Sequence, residues 1–386
     1  MKLSQPSLAL GPCPAALLGS GAAFPTDAWT TPALLLHLAP ELPGPRREAL
    51  LGHLATELGV QSRAHLAPGA DPLALAVEAA QRALADACAQ DGAGGDAAGD
   101  AAGDAGPDPI RAVLVATSTP SRWTTAESAR LAQALGLAVA FVDLRSGCTG
   151  GLWALVEGAR LARDIAGRVL VVGVDSFSRA FPAGERLLPF AMGDGAAALV
   201  LGPTRTEVLA KASRGVRIGP GSEAAGEVLA KASRGVRIGP RSEAAGEVGL
   251  VRAVFGGEPA LVDLATVTTP MPPAAGHAPY VLSGDPEPFA VAAEAALAAS
   301  IAALAPPPGC LLVPHIGRLA TARRLADQTS LALFVDGFVA HGNVGAASLL
   351  LALHLLRIAP HRPNIVALVS AGGGLSFGGA LWRLEP

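Results

Sequence analysis

The sequence predicts an α/β protein in which helices cover sheets and the second half repeats the style of the first. Three observations lead there. From Ile110 onward, apolar runs of strand length alternate with segments of helical period. The 386 residues are 51% apolar and only 16% charged, enough for two ordinary domains or one duplicated domain with a large core. The 46 glycines, 32 prolines and single tyrosine, Tyr280, imply tight helix–sheet packing through small side chains.

Each element follows in order. Residues 15–22 (AALLGSGA) read as a short strand and a glycine turn, and residues 46–57 as a helix followed by LGVQSRAHLA. Residues 72–89 form an amphipathic helix started by Asp71 or Pro72, with apolar positions recurring at three and four. Residues 90–109 (QDGAGGDAAGDAAGDAGPDP) are low-complexity and read as a flexible surface loop, because no alternating apolar residues accompany the aspartates. RAVLVATS is then a buried strand, ESARLAQALGL a helix, AVAFVDLRSG a strand, CTGGLWALVEGARLARDIAG a helix and RVLVVGVDS a strand. FAMGDGAAALVLGP gives a turn and another strand. Residues 207–226 recur at 227–246 with one change, Gly221 to Arg241, so a sheet with one place for VRIGP leaves one copy as a surface excursion. The added positive charge of the copies could also dock an acidic partner. After a Pro-rich stretch the alternation resumes: helix 287–304, strand GCLLVPHIG, helix RLATARRLADQ, a helix in GNVGAASLLLALHLLRI, and two strands about a glycine turn in IVALVSAGGGLSFGGALWRLE.

Composition excludes several classes. Net charge is −3 and the isoelectric point is near 6.2, so no basic field points to nucleic acid. Mean hydropathy of +0.42 raises the question of a membrane span. No apolar stretch of about 18 residues lacks a charge or a Gly/Pro break, and the best candidate, 289–304, carries Glu294. The first residues show no continuous apolar core of a signal peptide, so a soluble cytoplasmic protein is expected. Cys13, Cys88, Cys148 and Cys310 form no CxxC pair, which signals neither zinc nor a disulfide framework.

One cysteine stands apart. Cys148 follows an apolar strand and opens a helix in DLRSGCTGG, where free N–H groups and the helix dipole favour a thiolate. Cys13, Cys88 and Cys310 have no such setting and are expected to be buried and inert. A nucleophilic thiol needs a proton partner, and His315 at a strand end (VPHIGR) is the first choice, with His341 a neighbour or an accidental surface residue. Asn343, in AHGNVGAAS, could be a helix N-cap.

DLRSGCTGGLWAL, FAMGDGAAALVLG, PHIGR, GNVGAASLLLAL and SAGGGLSFGGALWRL occur in an order that resembles the thiolase-fold enzymes, in the 3-oxoacyl-ACP synthase III branch and its relatives of specialised metabolism. LGSGAAFP, LGVQSR, ATSTP and YVLSGDPEPF resemble that branch too. The resemblance implies a duplicated α-β-α-β-α fold with two mixed five-stranded sheets. Residues 1–206 would form the half carrying the cysteine, 207–246 a repeat insertion, and 247–386 the half carrying His and Asn. It implies that Cys148 is acylated by a thioester, and that His315 and Asn343 hold a malonyl-type extender on a carrier protein while it loses CO2. The backbone N–H groups of Cys148 and Gly374 would form the oxyanion hole. Gly193, Asp194 and Gly195 match the family's structural GDG turn. No cofactor or metal is implied. The partners would be acyl-CoA or acyl carrier protein, presenting a phosphopantetheine arm, and a second copy of the chain in a homodimer.

The sequence departs from the family at two places. The usual Gln-Ala-Asn after the histidine reads Ile316-Gly317-Arg318, and the aromatic residue expected before LGVQSR is absent. A carrier-protein donor fits that loss, with Arg318, Arg323 and Arg324 available to a phosphate or an acidic helix. The resemblance puts Trp123 near the family's substrate-tunnel and dimer-contact segment, where it would either shape the acyl pocket or pack in the interface. A transferase of the same fold that acylates a hydroxyl or amine is the alternative reading, and Asn343 favours the condensing one, because heteroatom acylation needs no enolate stabiliser.

Overall fold

The computed structural model describes residues 5–93, 109–122, 124–181, 187–204, 247–268, 281–284 and 286–385. Residues 94–108 of the low-complexity stretch, Trp123, Tyr280 and the repeat at 207–246 lie outside the described residues.

The strands, in chain order, are β1 Leu8–Leu10, β2 Cys13–Pro14, β3 Ala16–Ala23, β4 Ala28–Thr30, β5 Ser62–Ala64, β6 Ile110–Ala116, β7 Ala140–Leu144 and β8 Arg168–Ser176. They continue as β9 Asp194–Gly202, β10 Gly249–Gly257, β11 Ala265–Thr268, β12 Val281–Gly284, β13 Leu311–Pro314, β14 Ala332–Leu333, β15 Ile365–Gly372 and β16 Ser376–Arg383. The helices are α1 Thr31–Leu38, α2 Gly44–Glu57, α3 Leu73–Ala93, α4 Glu127–Ala134 and α5 Gly150–Ile165. They are followed by α6 Leu188–Ala191, α7 Pro286–Leu304, α8 Leu319–Thr329, α9 Asp336–His341 and α10 Ser348–Ile358.

The first sheet runs β3-β9-β8-β6-β7, with β9 antiparallel to both its neighbours and β6 parallel to β7 and β8. The second runs β10-β16-β15-β13-β14 with the same pattern of senses. The duplication expected from the sequence is therefore present strand for strand. One expectation needs correction. The second sheet has seven strands rather than five, because β1 and β2 both pair antiparallel with β10. Residues 8–14 thus belong to the sheet of the second half, where they cover an edge that β10 would otherwise leave open.

The layers follow from burial. Strand β8 (RVLVVGVDS) is buried from its second residue to its last, as a strand covered on both faces must be. Helix α5 buries Leu152, Leu155, Val156 and Ala159, a stripe at three- and four-residue spacing. With Leu349, Leu350 and Leu353 of α10 it fills one core between the sheets, reaching Val169 and Leu199 on one side and Leu368 and Trp382 on the other. Helix α3 covers the outer face of the first sheet through Ala76, Ala79, Ala80 and Ala83. It passes so close to β3 that Gly19 and Gly21 lie within the strand instead of forming the expected turn.

Helices α7 and α8 cover the outer face of the second sheet. Residues 287–304 of α7 are long and apolar enough to cross a membrane. In the structure Ala292, Ala296, Leu297, Ile301 and Leu304 are buried against that sheet. Glu287 and Glu294 of the same helix form ion pairs with Arg318 and Arg324. One face of this helix therefore packs on the sheet, while Val291 on another is exposed.

Candidate active site

Strand β7 ends at Leu144, and a five-residue turn brings Cys148 to the start of α5. The second half holds this turn in place. Ser370 Oγ, at the end of β15, donates to Cys148 O at 3.3 Å. Ser376 Oγ, opening β16, donates to Ser146 O at 3.0 Å and lies 2.7 Å from Thr149 Oγ1. A Cβ at Gly372 would come within 2.7 Å of Cys148 N, so only glycine lets the two backbones approach. Cys148 is a free, half-buried cysteine. The sequence points to a thiolate there, but the structure reverses that expectation for the resting protein. Burial, and then the Asp175 carboxylate, push the thiol up to about 12.

The same end of β15 positions His315. Its N–H donates to Val369 O at 2.7 Å, so imidazole and thiol are anchored on consecutive residues of one strand. Burial lowers the pKa of His315, while its bond to Asn343 and the backbone at Ala371 act in the opposite direction. The ring is therefore neutral at pH 7.

Asn343 is pinned by two backbone bonds, from its N–H to Ala191 O at 2.8 Å and from Gly193 N to its carbonyl at 3.0 Å. It does not cap a helix, since α10 begins only at Ser348. Instead Asn343 Oδ1 accepts from Gly345 N at 2.8 Å and lies 2.9 Å from His315 Nε2. Because Gly345 N–H can only donate, it identifies the amide oxygen, and His315 must then donate through Nε2–H. Among the described residues Nδ2 of Asn343 has no hydrogen-bond partner, so both its hydrogens stay available to a ligand.

Residues 142–214 match the family model for 3-oxoacyl-[acyl-carrier-protein (ACP)] synthase III. The beta-ketoacyl-[acyl-carrier-protein] synthase III of Cereibacter sphaeroides is 35% identical over 150 residues, 38% of this chain and 42% of that protein. Its whole-length counterparts are structural. The priming β-ketosynthase of the R1128 polyketide pathway superposes with TM-score 0.71 at 21% identity, covering 98% of this chain and 99% of that one. The 3-oxoacyl-(acyl carrier protein) synthase III of Pseudomonas aeruginosa superposes with TM-score 0.69 at 24% identity, covering 97% and 99%. The chain has the fold of these synthases over nearly its whole length, and its middle segment is similar in sequence to the 3-oxoacyl-ACP synthase III family. Its sequence match spans less than half the length of the Cereibacter relative.

The remaining expected site residues differ in their settings. Gly374 adopts φ +86 in the 372–374 turn, whose first residue abuts Cys148 N. Asp194 of the GDG turn is scaffold: it accepts from Leu66 N at 2.7 Å and Ser178 N at 3.0 Å. Arg318 and Arg324 have other partners, the α7 carboxylates Glu287 and Glu294, while Arg323 is exposed. Their ion pairs offset the charge that a phosphate would need. Trp123 lies outside the described residues.

His341 stacks on Phe24 with ring centroids 3.7 Å apart, which accounts for it structurally. Cys13 and Cys310 are buried as expected, but Cys88 is exposed on α3. Asp175 is the residue that sequence reasoning missed. It is fully buried at the end of β8, and an acid closing an all-apolar strand was the available signal.

Proposed function

We propose that this chain is a condensing acyltransferase that loads an acyl group on Cys148 and joins it to a malonyl-type extender. The observation carrying this reading is the His315–Asn343 contact at 2.9 Å, with the amide oriented by Gly345 so that Nδ2 remains a donor. A hydroxyl- or amine-acylating enzyme has no use for that second donor.

Loading begins with a protonated thiol, because burial and Asp175 oppose the helix terminus. The neutral imidazole of His315 supplies the proton acceptor at Nδ1, the ring nitrogen left without a hydrogen when Nε2–H faces Asn343. The Cys148 thiolate attacks the thioester carbonyl, the negative oxygen is received by the N–H groups of Cys148 and Gly374, and the donor thiol leaves with the proton. The extender thioester then places its carbonyl against Asn343 Nδ2 and His315 Nε2–H. Its carboxylate departs as CO2 and leaves an enolate. The enolate carbon attacks the acyl-Cys148 carbonyl and expels the thiolate, giving a 3-oxoacyl thioester. His315 thus serves both steps and Asn343 the second.

The thioesters would be carried by CoA or by an acyl carrier protein through its phosphopantetheine arm. A homodimer fits the exposed edge strand β7, where Phe141 is 53% and Val142 48% exposed. The test is intact-mass analysis after incubation with a panel of acyl-CoA and acyl-carrier thioesters, followed by addition of malonyl thioester. A Cys148 adduct that is discharged with CO2 release supports the reading. An adduct discharged by hydroxylamine or an alcohol but never by malonyl thioester refutes it.

A further inference from the structure

Resting on that reading, we propose that Asp175 is a positioning residue that joins the nucleophile half to the Asn343 loop and fixes the decarboxylation donors. Asp175 lies at the end of β8 with 0% exposure. One carboxylate oxygen, Oδ1, accepts from Ser118 N at 2.7 Å, Thr119 N at 3.0 Å, Thr119 Oγ1 at 3.0 Å and Thr117 Oγ1 at 3.2 Å. These three residues form the turn that leaves β6. The other oxygen, Oδ2, accepts from Ala346 N at 2.8 Å, in the loop that carries Asn343. One side chain therefore ties a turn of the first half to the catalytic loop of the second.

The fit around the carboxylate is close. Gly345 has φ +58, and a Cβ there would come within 2.1 Å of Asp175 Oδ2. Gly345 is also the residue whose N–H orients the Asn343 amide. The carboxylate, the glycine and the amide are thus consecutive links from β8 to the donor Nδ2. Among the described residues no Arg or Lys forms an ion pair with Asp175. Burial raises its pKa to about 6 against the hydrogen bonds that lower it. At pH 7 it is a buried anion held by N–H and O–H donors alone, and its charge reaches Cys148. A residue with a purely structural duty could be served by a neutral side chain that spares the nucleophile this field. The negative charge is what allows a single oxygen to gather four donors while the other holds the Asn343 loop.

The two effects have opposite signs, which gives the test. In Asp175→Asn the charge is gone, so the Cys148 thiol pKa falls. Alkylation by iodoacetamide at pH 8, followed by intact mass with Cys88→Ala as background, should accelerate about three-fold or more, the response to a half-unit drop. The amide offers an N–H where donors already point, so the Asn343 loop shifts and CO2 release from malonyl thioester should fall about 100-fold. Alkylation needs no acyl substrate, so a failure of the proposed reaction leaves that arm readable and is seen separately as absence of a wild-type acyl adduct. Should Asp175→Asn not fold, Thr119→Val removes one donor and keeps the charge. It should lower CO2 release about three- to tenfold without faster alkylation, and Thr119→Ser should restore it. Unchanged CO2 release in the variants that fold, or alkylation and CO2 release falling together, would overturn the assignment.

Discussion

Replacing Asn343 separates the two donors of the site from their acceptor role. In Asn343→Ala the Gly345 N–H and the His315 Nε2–H both lose Oδ1, which they hold at 2.8 and 2.9 Å in a buried setting. An orphaned buried donor costs about 1–3 kcal/mol, so the loss in stability should be about 2–6 kcal/mol in total. Asn343→Asp keeps an acceptor oxygen for both bonds and removes only the Nδ2 donors. It also sets a carboxylate beside His315, which raises the imidazole pKa from its lowered value. Loss of one oxyanion donor elsewhere costs about 10²–10³ in rate, or about 2.7–4 kcal/mol, and the same loss is expected here for decarboxylation. The assay is CO2 release from a malonyl thioester, run beside intact-mass measurement of the acyl adduct. Asn343→Ala should load an acyl group at nearly the wild-type rate and decarboxylate about 100-fold more slowly or worse. If Asn343→Asp released CO2 within about threefold of wild type, the donor role derived from the amide orientation would be wrong. Equal loss of loading and decarboxylation in Asn343→Ala would refute the division of labour.

Three further outcomes are expected. Cys148→Ala should abolish the acyl mass adduct, whereas Cys88→Ala, which removes an exposed thiol, should not; an adduct surviving in Cys148→Ala sinks the assignment. Iodoacetamide modification of Cys148 should rise about tenfold per pH unit from pH 7 to 9 without a plateau, because the thiol lies near 12; a plateau near pH 7 would mean an ion pair already exists. Light scattering should give twice the chain mass of 38.5 kDa, and Phe141→Asp on the β7 edge should weaken that association; a monomer at micromolar concentration counts against a dimer through this edge.

Much of the fold was legible because buried strands announce themselves. RVLVVGVDS and IVALVSAG are apolar runs bounded by turn residues, and their neighbours are helices of clear period. The strands that escaped, Leu8–Leu10 and Cys13–Pro14, are three and two residues long, and the stretch around them is broken by Gly11, Pro12 and Pro14. Nothing local distinguishes such pieces from loop, since β10 makes them strands. Cys148 was legible from the strand–glycine–cysteine–helix order. Its protonation was not, because that depends on burial by the second half and on an aspartate from the next strand but one helix away. Asn343 stood in a loop compatible with a cap, and only the Gly345 contact shows that its oxygen is turned inward.

The electrostatics of the pair follow from where the two halves meet. Among the described residues the side-chain bonds that fix the nucleophile turn from outside come from the second half: Ser370 to Cys148 O, and Ser376 to Ser146 O and Thr149 Oγ1. The first half in turn fixes the Asn343 loop, through Asp175 to Ala346 N, Ala191 O to Asn343 N and Gly193 N to Asn343 O. Closing the halves therefore completes the site and buries it in one step. Burial disfavours charge on either partner, raising the thiol and lowering the imidazole, so both shifts favour neutral Cys148 and His315 over a thiolate–imidazolium pair. Asp175 adds to the first shift. A nucleophile held neutral in this way reacts poorly with stray electrophiles in water. In the proposed loading step it becomes a thiolate as its proton moves to His315 beside a bound thioester, whose developing oxyanion the N–H groups of Cys148 and Gly374 would meet. The helix terminus at α5 contributes at that moment, to the charge that forms on the reacting atoms, rather than to a resting thiolate.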